Sequence, residues 1–292
     1  MVITALDVGG TSIKAAVLDG DLKTLATSRE PTAKGADGHA VADQVARMVA
    51  ELGHDPAAVG VVVPGIVDED AGIARFSANL DWRDVPLRAL LAERLGLPVA
   101  LGHDVRSGGL AEFRVGAGRG CAEAAFVAVG TGIAAALLVD GKLHSNGGLA
   151  GELGHVDVGN QLKCGCGGVG CMEMIASASA VARRYTELTG EPADGAESVV
   201  LAAQNGDERA KVVVDEAVDG LARGLRILTT LLAPEVVVLG GGLFTTGEHL
   251  LDAVSGRLNL TFQRKPELRL AELGPDASRY GAGLLALDLL KP

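Results

Sequence analysis

Aromatic residues are scarce in this chain. They make up 3% of its 292 residues, with a single tryptophan, while apolar residues as a whole reach 48%. An apolar fraction of that size supplies a real core. That core must therefore consist mostly of Ala, Val and Leu. The length allows one large domain or two of medium size.

Positive charge is also in short supply. Lys and Arg number 26 against 37 Asp and Glu, which gives a formal net charge of −11. This balance argues against nucleic acid as the main partner and against a basic membrane-binding surface. Since the chain also lacks a run of about 18 uninterrupted apolar residues, we expect no membrane span. The opening MVITALDVGG resembles no secretory signal, so we expect a cytoplasmic protein.

Cysteine is rare, and its distribution is uneven. Three of the four cysteines lie in one glycine-filled stretch, at Cys164, Cys166 and Cys171, and His155 lies nine positions before the first. Three thiolates and one imidazole suit a tetrahedral zinc site. The alternative is a disulfide plus a free thiol, but an odd cluster in an unsecreted chain favours a metal. Cys121 stands apart and is predicted to be a buried, small apolar residue.

Strand patterns alternate with helix patterns along the chain, which predicts the α/β class. Strands are predicted at 2–6, 13–18, 59–63, 98–101, 124–129, 133–139 and 235–239. Helices are predicted at 39–52, 86–95, 172–188, 196–204, 208–232 and 280–290. A strand–glycine turn–strand unit occurs twice, about 120 residues apart, which is weak evidence of an internal duplication.

Three glycine-rich turns are candidates for binding phosphate. The first is Asp7-Val8-Gly9-Gly10-Thr11, the second is Gly130-Thr131-Gly132, and the third is Gly240-Gly241-Gly242, directly after an apolar strand. Glycines let backbone N–H groups approach a phosphate closely, and a carboxylate such as Asp7 could hold magnesium through water. The alternative at each position is an ordinary turn. A strand rather than a helix follows the first turn, which disfavours a P-loop or a dinucleotide fold.

Several polar side chains are candidates for substrate chemistry. Asp104 ends a strand, where a carboxylate could act as a general base, but its position alone favours a helix-capping aspartate. His103 could bind a substrate or lie in an ordinary loop. Asn79 and the nearby Trp82, the single tryptophan, could face a sugar; the alternative is a surface loop with one buried anchor. Glu152, three residues before His155, and Glu173, just after the cysteines, are either ligand-binding carboxylates or solvated charges.

These motifs together resemble the sugar kinases of the ROK family (repressors, open reading frames, kinases), within the hexokinase–actin-like ATPase superfamily. The motifs that carry the resemblance are DVGGT at 7–11, VVVPGIVD at 61–68, NLDW at 79–82, GHDVRSGGLAE at 102–112, VGTGI at 129–133, GELGH at 151–155, CGCGGVGC at 164–171 and VVLGGGL at 237–243. They span nearly the whole chain in the family's order.

The resemblance implies a two-domain, ribonuclease H-like α/β fold with an interdomain cleft. The smaller domain is expected over 1–107 plus 281–292, and the larger over 108–280 with the zinc site. The implied nucleotide-binding residues are Asp7, Gly9, Gly10, Thr11, Lys14, Gly130, Thr131, Gly132, Gly240 and Gly241. The implied substrate-binding residues are Asn79, His103, Asp104, Glu152, His155 and Glu173, with Asp104 also the catalytic base.

The implied reaction is transfer of the γ-phosphoryl group of ATP, with Mg²⁺, to the 6-hydroxyl of a hexose. Glucose is the leading substrate and N-acetylglucosamine the alternative; a non-catalytic sugar sensor is the alternative of another class. Structural zinc on His155, Cys164, Cys166 and Cys171 and a dimeric or tetrameric homo-oligomer are also implied. Two residues depart from the family's pattern: His103 replaces an Asn, and Ser12 replaces a Lys, which leaves Lys14 as the nearest cation.

Overall fold

The chain forms two compact units of mixed α/β structure, as the predicted fold class requires. The computed structural model describes residues 1–35, 37–260 and 265–291. The first unit consists of Met1–Ala111, Ser145–Ala150 and Pro275–Pro292, and the second of Glu112–His144 and Gly151–Gly274. No helix among the described residues has the length and apolar character needed to cross a membrane.

The described part of the first unit contains a five-stranded sheet, a smaller three-stranded sheet and four α-helices. The large sheet has the order β3-β2-β1-β4-β8, with β1 Val2–Val8, β2 Ser12–Asp19, β3 Thr24–Pro31, β4 Val59–Val63 and β8 Val99–His103. The small sheet contains β5 Ile66–Asp68, β6 Ile73–Ser77 and β7 Trp82–Val85. The helices are α1 His39–Leu52, α2 Leu87–Leu95, α3 Asp104–Val115, which continues into the second unit, and α9 Ala277–Asp288.

Strand direction in the large sheet brings two loops to one edge. β1 runs parallel to β4, and β4 runs parallel to β8, with Asp7 opposite Val62 and Val63 opposite His103. The carboxyl ends of all three strands therefore lie at the same edge. Adjacent strands are about 4.8 Å apart, so the ends of β1 and β8 are about 10 Å apart. This edge carries both the first glycine turn and Asp104.

The single tryptophan is a core anchor. Trp82 is 1% exposed within the apolar core of the first unit, and its indole Nε1–H donates to the Gly35 carbonyl at 2.9 Å. The prediction that this ring could face a sugar is therefore wrong, because the ring is already covered by core side chains. The alternative reading of NLDW as a loop with one buried anchor is confirmed.

The second unit repeats the strand order of the first. Its five-stranded sheet has the order β11-β10-β9-β12-β13, with β9 Ala124–Val129, β10 Ile133–Val139, β11 Lys142–His144, β12 Val236–Gly240 and β13 Glu267–Leu270. Its helices are α4 Glu173–Ala176, α5 Ala178–Thr189, α6 Gly195–Gln204, α7 Glu208–Leu232 and α8 Glu248–Arg257. Asp140-Gly141 forms the hairpin turn between β10 and β11: both residues have positive φ, at 50° and 70°, as a type I′ turn requires.

Two expectations about the second unit are corrected. The helix predicted over 172–188 is interrupted at Ser177, which is extended and whose hydroxyl accepts the N–H of Ala180 at 3.1 Å. Serine is a preferred N-cap, so it ends α4 and starts α5. Cys121 is half-buried rather than buried.

The observed units differ from the predicted domain bounds mainly at Ser145–Ala150. This segment packs with the first unit although its flanking residues belong to the second. The carbonyl of Gly148 accepts a hydrogen bond from Arg106 at 3.2 Å. Gly148 also lies so close to β5 that an added Cβ would be 2.2 Å from the Val67 carbonyl oxygen. Contacts of this range cannot be read from strand and helix periodicity.

Candidate active site and metal cluster

The first glycine turn joins β1 to β2 and is held by its neighbours. Gly9 N–H donates to the Ser12 carbonyl at 3.0 Å, and the Gly9 carbonyl accepts the Thr32 hydroxyl at 2.6 Å. Lys34 Nζ donates to the Gly10 carbonyl at 3.0 Å. The turn therefore has a defined shape, and an ammonium group from a distant part of the sequence lies on it. Thr11 at its tip is exposed.

Asn79 lies against this same turn. A Cβ at Gly10 would be 2.9 Å from both the Cβ and the carbonyl oxygen of Asn79. Glycine at position 10 is therefore required for the NLDW loop to approach the turn. Asn79 itself is exposed, so its amide remains accessible beside the predicted phosphate loop.

Two carboxylates, Asp7 and Asp104, lie at this edge of the sheet, and the pKa of each is raised. Burial and the negative charge of Asp7 raise the pKa of Asp104 to about 7, although the Val105 N–H and the Arg106 guanidinium oppose this. Burial also raises the pKa of Asp7, while two cations lower it: Lys14, which lies opposite Asp7 on β2, and Arg279. The Asp104 side chain is still 30% exposed. It is thus a reachable carboxylate with the affinity for protons that a general base needs at neutral pH.

His103 precedes Asp104 and is almost covered. Its side chain is 7% exposed, with Nε2 lying 3.2 Å from Oδ1 of Asp104. Nδ1 accepts the Arg106 N–H at 3.2 Å, so His103, rather than Asp104, accepts the capping bond at the start of α3. Burial and the neighbouring Arg106 lower the pKa of His103 to about 3. The ring is therefore neutral at physiological pH.

Sequence reasoning missed two charged residues beside this pair. Arg106 is 1% exposed; its Nε donates to Glu69 Oε1 at 3.1 Å, and its Nη2 donates to the Val67 carbonyl at 3.0 Å. The same Glu69 oxygen accepts the His103 N–H at 3.1 Å. The available signal was an arginine two residues after the candidate base, in a buried stretch where an unpaired cation would be costly.

In the second unit, two glycine turns meet at one sheet edge. β12 is parallel to β9, with Gly240 opposite Ala128. A Cβ at Gly241, which has φ +89°, would lie 2.6 Å from the backbone of Val129. The turn at 240–242 therefore packs against the end of β9, where the turn at Gly130–Gly132 begins. Thr131 at the tip of that turn is exposed.

Two predicted carboxylates lie near the start of β10. Glu173 Oε2 accepts the Ile133 N–H at 2.9 Å, and a Cβ at Gly132 would be 2.5 Å from that oxygen. The segment that leads to Glu152 is fixed to the same strand, because Ala135 N–H donates to the Gly151 carbonyl at 2.7 Å. Glu152 Oε2 is 3.9 Å from Nε2 of His155.

The four predicted metal ligands converge. The ligand atoms of His155, Cys164, Cys166 and Cys171 all lie within 4.8 Å of one another. Cys164 Sγ is 3.6 Å from His155 Nδ1, and the sulfurs of Cys166 and Cys171 are also 3.6 Å apart. A tetrahedral zinc with Zn–S bonds of about 2.3 Å implies sulfur separations of about 3.8 Å. All four cysteines of the chain are free, so the disulfide alternative is not formed.

The chemistry of this cluster also fits a cation. The Gly168 N–H and the neighbouring thiols lower the pKa of Cys166, while burial and the other thiols raise the pKa of Cys171 to about 12. Thiols packed this closely cannot all ionise without a positive charge among them. Nδ1 of His155 lies next to the sulfur of Cys164, and Nε2, on the opposite side of the ring, lies next to Glu152.

The predicted site residues thus gather in two groups, one in each unit. The first unit holds Asp7, Gly9, Gly10, Thr11, Lys14, Asn79, His103 and Asp104. The second unit holds Gly130, Thr131, Gly132, Glu152, His155, the three clustered cysteines, Glu173, Gly240 and Gly241. Each group includes at least one glycine turn at the carboxyl edge of a sheet, where ligands of α/β proteins bind.

Two sheets of one strand order, each with a glycine turn after its first strand, define the actin-like ATPase class of fold. A crystal structure of a ROK family glucokinase from Streptomyces griseus, in complex with glucose and AMPPNP, superposes with a TM-score of 0.85 at 31% identity. It covers 99% of this chain and 100% of that one. The chain belongs to the ROK family, whose model matches residues 3–289.

Two relatives of known name are similar over almost their full length. A glucokinase of Halalkalibacterium halodurans is 32% identical over 307 residues, covering 96% of this chain and 93% of that protein. An N-acetyl-D-glucosamine kinase of Pectobacterium atrosepticum is 32% identical over 304 residues, covering 96% and 97%. Identity therefore does not separate these two kinds of relative.

Proposed function

We propose that this protein is an ATP-dependent hexose kinase that phosphorylates the 6-hydroxyl of glucose. Full-length similarity to a glucokinase and to a glucokinase structure with glucose and AMPPNP supports the proposal. The observation that carries it within this chain is Asp104, a partly exposed carboxylate whose pKa is raised to about 7 at the sheet edge that bears a glycine turn.

Asp104 is the general base in this proposal. Its carboxylate accepts the proton of the sugar 6-hydroxyl as that oxygen forms a bond to the γ-phosphorus. The bond from the γ-phosphorus to the bridging oxygen breaks, and its electron pair leaves with ADP. Charge-stabilising N–H groups and accurate positioning are the protein's main contributions to such a transfer.

The glycine turns bind the nucleotide in this proposal. The residues that donate to phosphate oxygens are Gly9, Gly10, Thr11, Gly130, Thr131 and Gly132. Gly240 and Gly241 contact the adenosine, and Lys14 contributes positive charge. Asp7 would hold Mg²⁺ through water, which would relieve its repulsion with Asp104; when bound, Mg²⁺ neutralises charge developing on the phosphates.

The remaining polar residues bind the sugar in this proposal. Asn79, Glu152, His155 and Glu173 contact its hydroxyls, with His103 beside the base. His155, Cys164, Cys166 and Cys171 would hold a structural zinc, since the donor spacing fits it, and the ion would orient the imidazole for its sugar contact. No proton transfer is assigned to His155.

The test is an ATP-consumption assay with a panel of glucose, N-acetylglucosamine, mannose and N-acetylmannosamine. We expect the highest kcat/KM with glucose, and a sugar 6-phosphate as product. N-acetylglucosamine is the second candidate, because a kinase of that sugar is equally similar to this chain. Sugar binding without ATP consumption on any sugar would support a regulator instead and contradict the kinase proposal.

Two further properties complete the proposal. We propose a homo-oligomer, either a dimer or a tetramer, which light scattering after size exclusion would test; a monomer at micromolar concentration would contradict it. A cytoplasmic location is supported by the three unpaired thiols of the cluster, since such thiols persist in reducing compartments. Fractionation with antibody detection checks that location.

A further inference from the structure

Both nitrogens of the His103 imidazole have a polar neighbour. Nδ1 accepts the backbone N–H of Arg106 at 3.2 Å, so Nδ1 carries no proton. In a neutral imidazole the proton then resides on Nε2. Helix capping therefore fixes the tautomer of this ring.

The protonated nitrogen faces the candidate base. Nε2 of His103 is 3.2 Å from Oδ1 of Asp104, and the same Oδ1 accepts the Val105 N–H at 2.7 Å. Neither contact involves Oδ2. Oδ1 therefore accepts one hydrogen bond, from the Val105 N–H, and has Nε2 of His103 as a second close neighbour.

The backbone that carries the ring is itself anchored. Glu69 Oε1 accepts both the backbone N–H of His103 and Nε of Arg106, each at 3.1 Å, and Arg106 is 1% exposed. Nη2 of Arg106 also donates to the Val67 carbonyl at 3.0 Å, which links Arg106 to β5. The backbone at His103 is consequently fixed next to Asp104.

We propose that His103 is a positioning residue for Asp104: its Nε2–H holds Oδ1, so that Oδ2 is the oxygen presented to the substrate hydroxyl. This inference rests on the proposed kinase function, which it deepens. A direct hydrogen bond from His103 to the sugar is the competing role. The two roles differ in which kinetic constant depends on the ring.

Two substitutions at His103 distinguish the contribution of Nδ1 from that of Nε2. His103→Asn keeps an acceptor for the Arg106 N–H, since Asn is among the best N-caps, but its short amide does not reach Asp104. His103→Gln carries an amide donor at the reach of Nε2 but is a poor N-cap. His39→Asn is the matched control, because His39 is an exposed histidine at the start of α1.

We expect His103→Asn to keep the wild-type melting temperature and to lower kcat by about 10- to 100-fold, the range that loss of positioning produces. KM for the sugar should change little. His103→Gln should melt at a lower temperature yet retain more kcat than His103→Asn. His39→Asn should match the wild type in both kinetic constants.

The pH profile gives a second readout. Removing an N–H donor from a carboxylate raises its pKa, so the acidic limb of kcat/KM should move to higher pH in His103→Asn. The other charged groups facing Asp104 are Asp7 on β1 and Arg106 on α3. Asp7 in turn faces Lys14, Arg279 and Asp276. All of these remain unchanged in the variant.

Carbon and nitrogen NMR test the contact without any turnover. We expect wild-type His103 to show an unprotonated Nδ1 and a protonated Nε2, and the Asp104 carboxyl to titrate at higher pH in His103→Asn. If no sugar is phosphorylated by the wild type, the kinase proposal fails while these spectra still decide the contact.

Three results would overturn the positioning role. The first is an unchanged Asp104 titration in His103→Asn. The second is a variant in which only KM for the sugar rises while kcat and the acidic limb stay in place, which would make His103 a direct sugar contact. The third is a His103→Gln enzyme with kcat no higher than that of His103→Asn.

Discussion

The two glycine turns that follow β1 and β9 have the same place in sheets of the same strand order, yet they have different neighbours. The turn at residues 7–11 lies at an edge with two carboxylates, Asp7 and Asp104; burial raises the pKa of both, and the charge of Asp7 raises that of Asp104 further. The turn at Gly130–Gly132 is instead braced by Glu173, which accepts a backbone N–H from Ile133 at 2.9 Å.

This difference suggests a division of labour between the units. The first unit carries the two carboxylates that we propose as the base and as the group that holds magnesium. The second has glycines packed on strand ends and a cluster of four side chains that could hold a metal ion. If this division is correct, substitutions in the first unit should mainly lower kcat, and substitutions in the second should mainly raise KM.

The largest effect is expected at Asp104. Asp104→Asn removes the proposed base but keeps the side-chain shape, so kcat should fall by about 10²–10⁴-fold, the usual contribution of general-base catalysis. Steady-state kinetics with glucose and ATP measures this. Glu173→Gln in the second unit is the counterpart and should act chiefly on KM. Near-normal turnover by Asp104→Asn would remove it from the base role.

The second test is the pH dependence of the wild-type enzyme. A base must be deprotonated to act, and the pKa of Asp104 is raised to about 7. For the free enzyme, kcat/KM should therefore fall about tenfold per pH unit below that value and reach a plateau above it. Activity that is level from pH 8 down to pH 5 would contradict the raised pKa.

The metal cluster provides the third test. Cys166→Ser should release the zinc and raise KM for the sugar by about 10- to 100-fold, because His155 loses the ligand that orients it. Zinc is measured by plasma mass spectrometry and KM by the kinase assay. Cys121→Ser is the matched control, since Cys121 is outside the cluster. A zinc-free Cys166→Ser enzyme with unchanged KM would make the cluster irrelevant to sugar binding.

The smallest effects should distinguish the glycines of the two turns. A Cβ at Gly10 would be 2.9 Å from Asn79, whereas a Cβ at Gly130 has no such heavy atom within 4 Å. Gly10→Ala should thus lower the free energy of unfolding by about 1–3 kcal/mol, as overpacking does. Gly130→Ala should change it by no more than about 0.5 kcal/mol, while a phosphate contact there would raise KM for ATP. Chemical denaturation and kinetics on both variants measure these quantities. Equal stability losses would show that both turns are packed alike.

Local sequence patterns were sufficient for most of the secondary structure. The apolar run at 236–239 and the strand–turn–strand units could be recognised in the sequence, because buried strands and glycine turns have short-range sequence patterns. The break at Ser177 was missed, since a serine within a helix-forming stretch is ambiguous until its hydroxyl is seen to cap the following turn.

The candidate site was predictable where motifs are contiguous and not where contacts are distant. The ligand set of His155 and the three cysteines followed from spacing alone, because metal donors on a tight loop must be close in sequence. Lys34 on the Gly10 carbonyl, and Glu69 beneath His103, come from loops that no local pattern connects to the site.

The sequence by itself determined seven of the strands, the glycine turns and the set of candidate metal donors, since each depends on neighbours only a few residues away. It did not predict β3, β5, β6, β7, β11 and β13. Tertiary structure alone decided that Trp82 is covered, that His103 caps α3, and that Asp7 and Asp104 share one edge. These outcomes depend on strand order and register. Strand pairing sets the local dielectric and the charges nearby, and those in turn fix the proton affinity of a carboxylate.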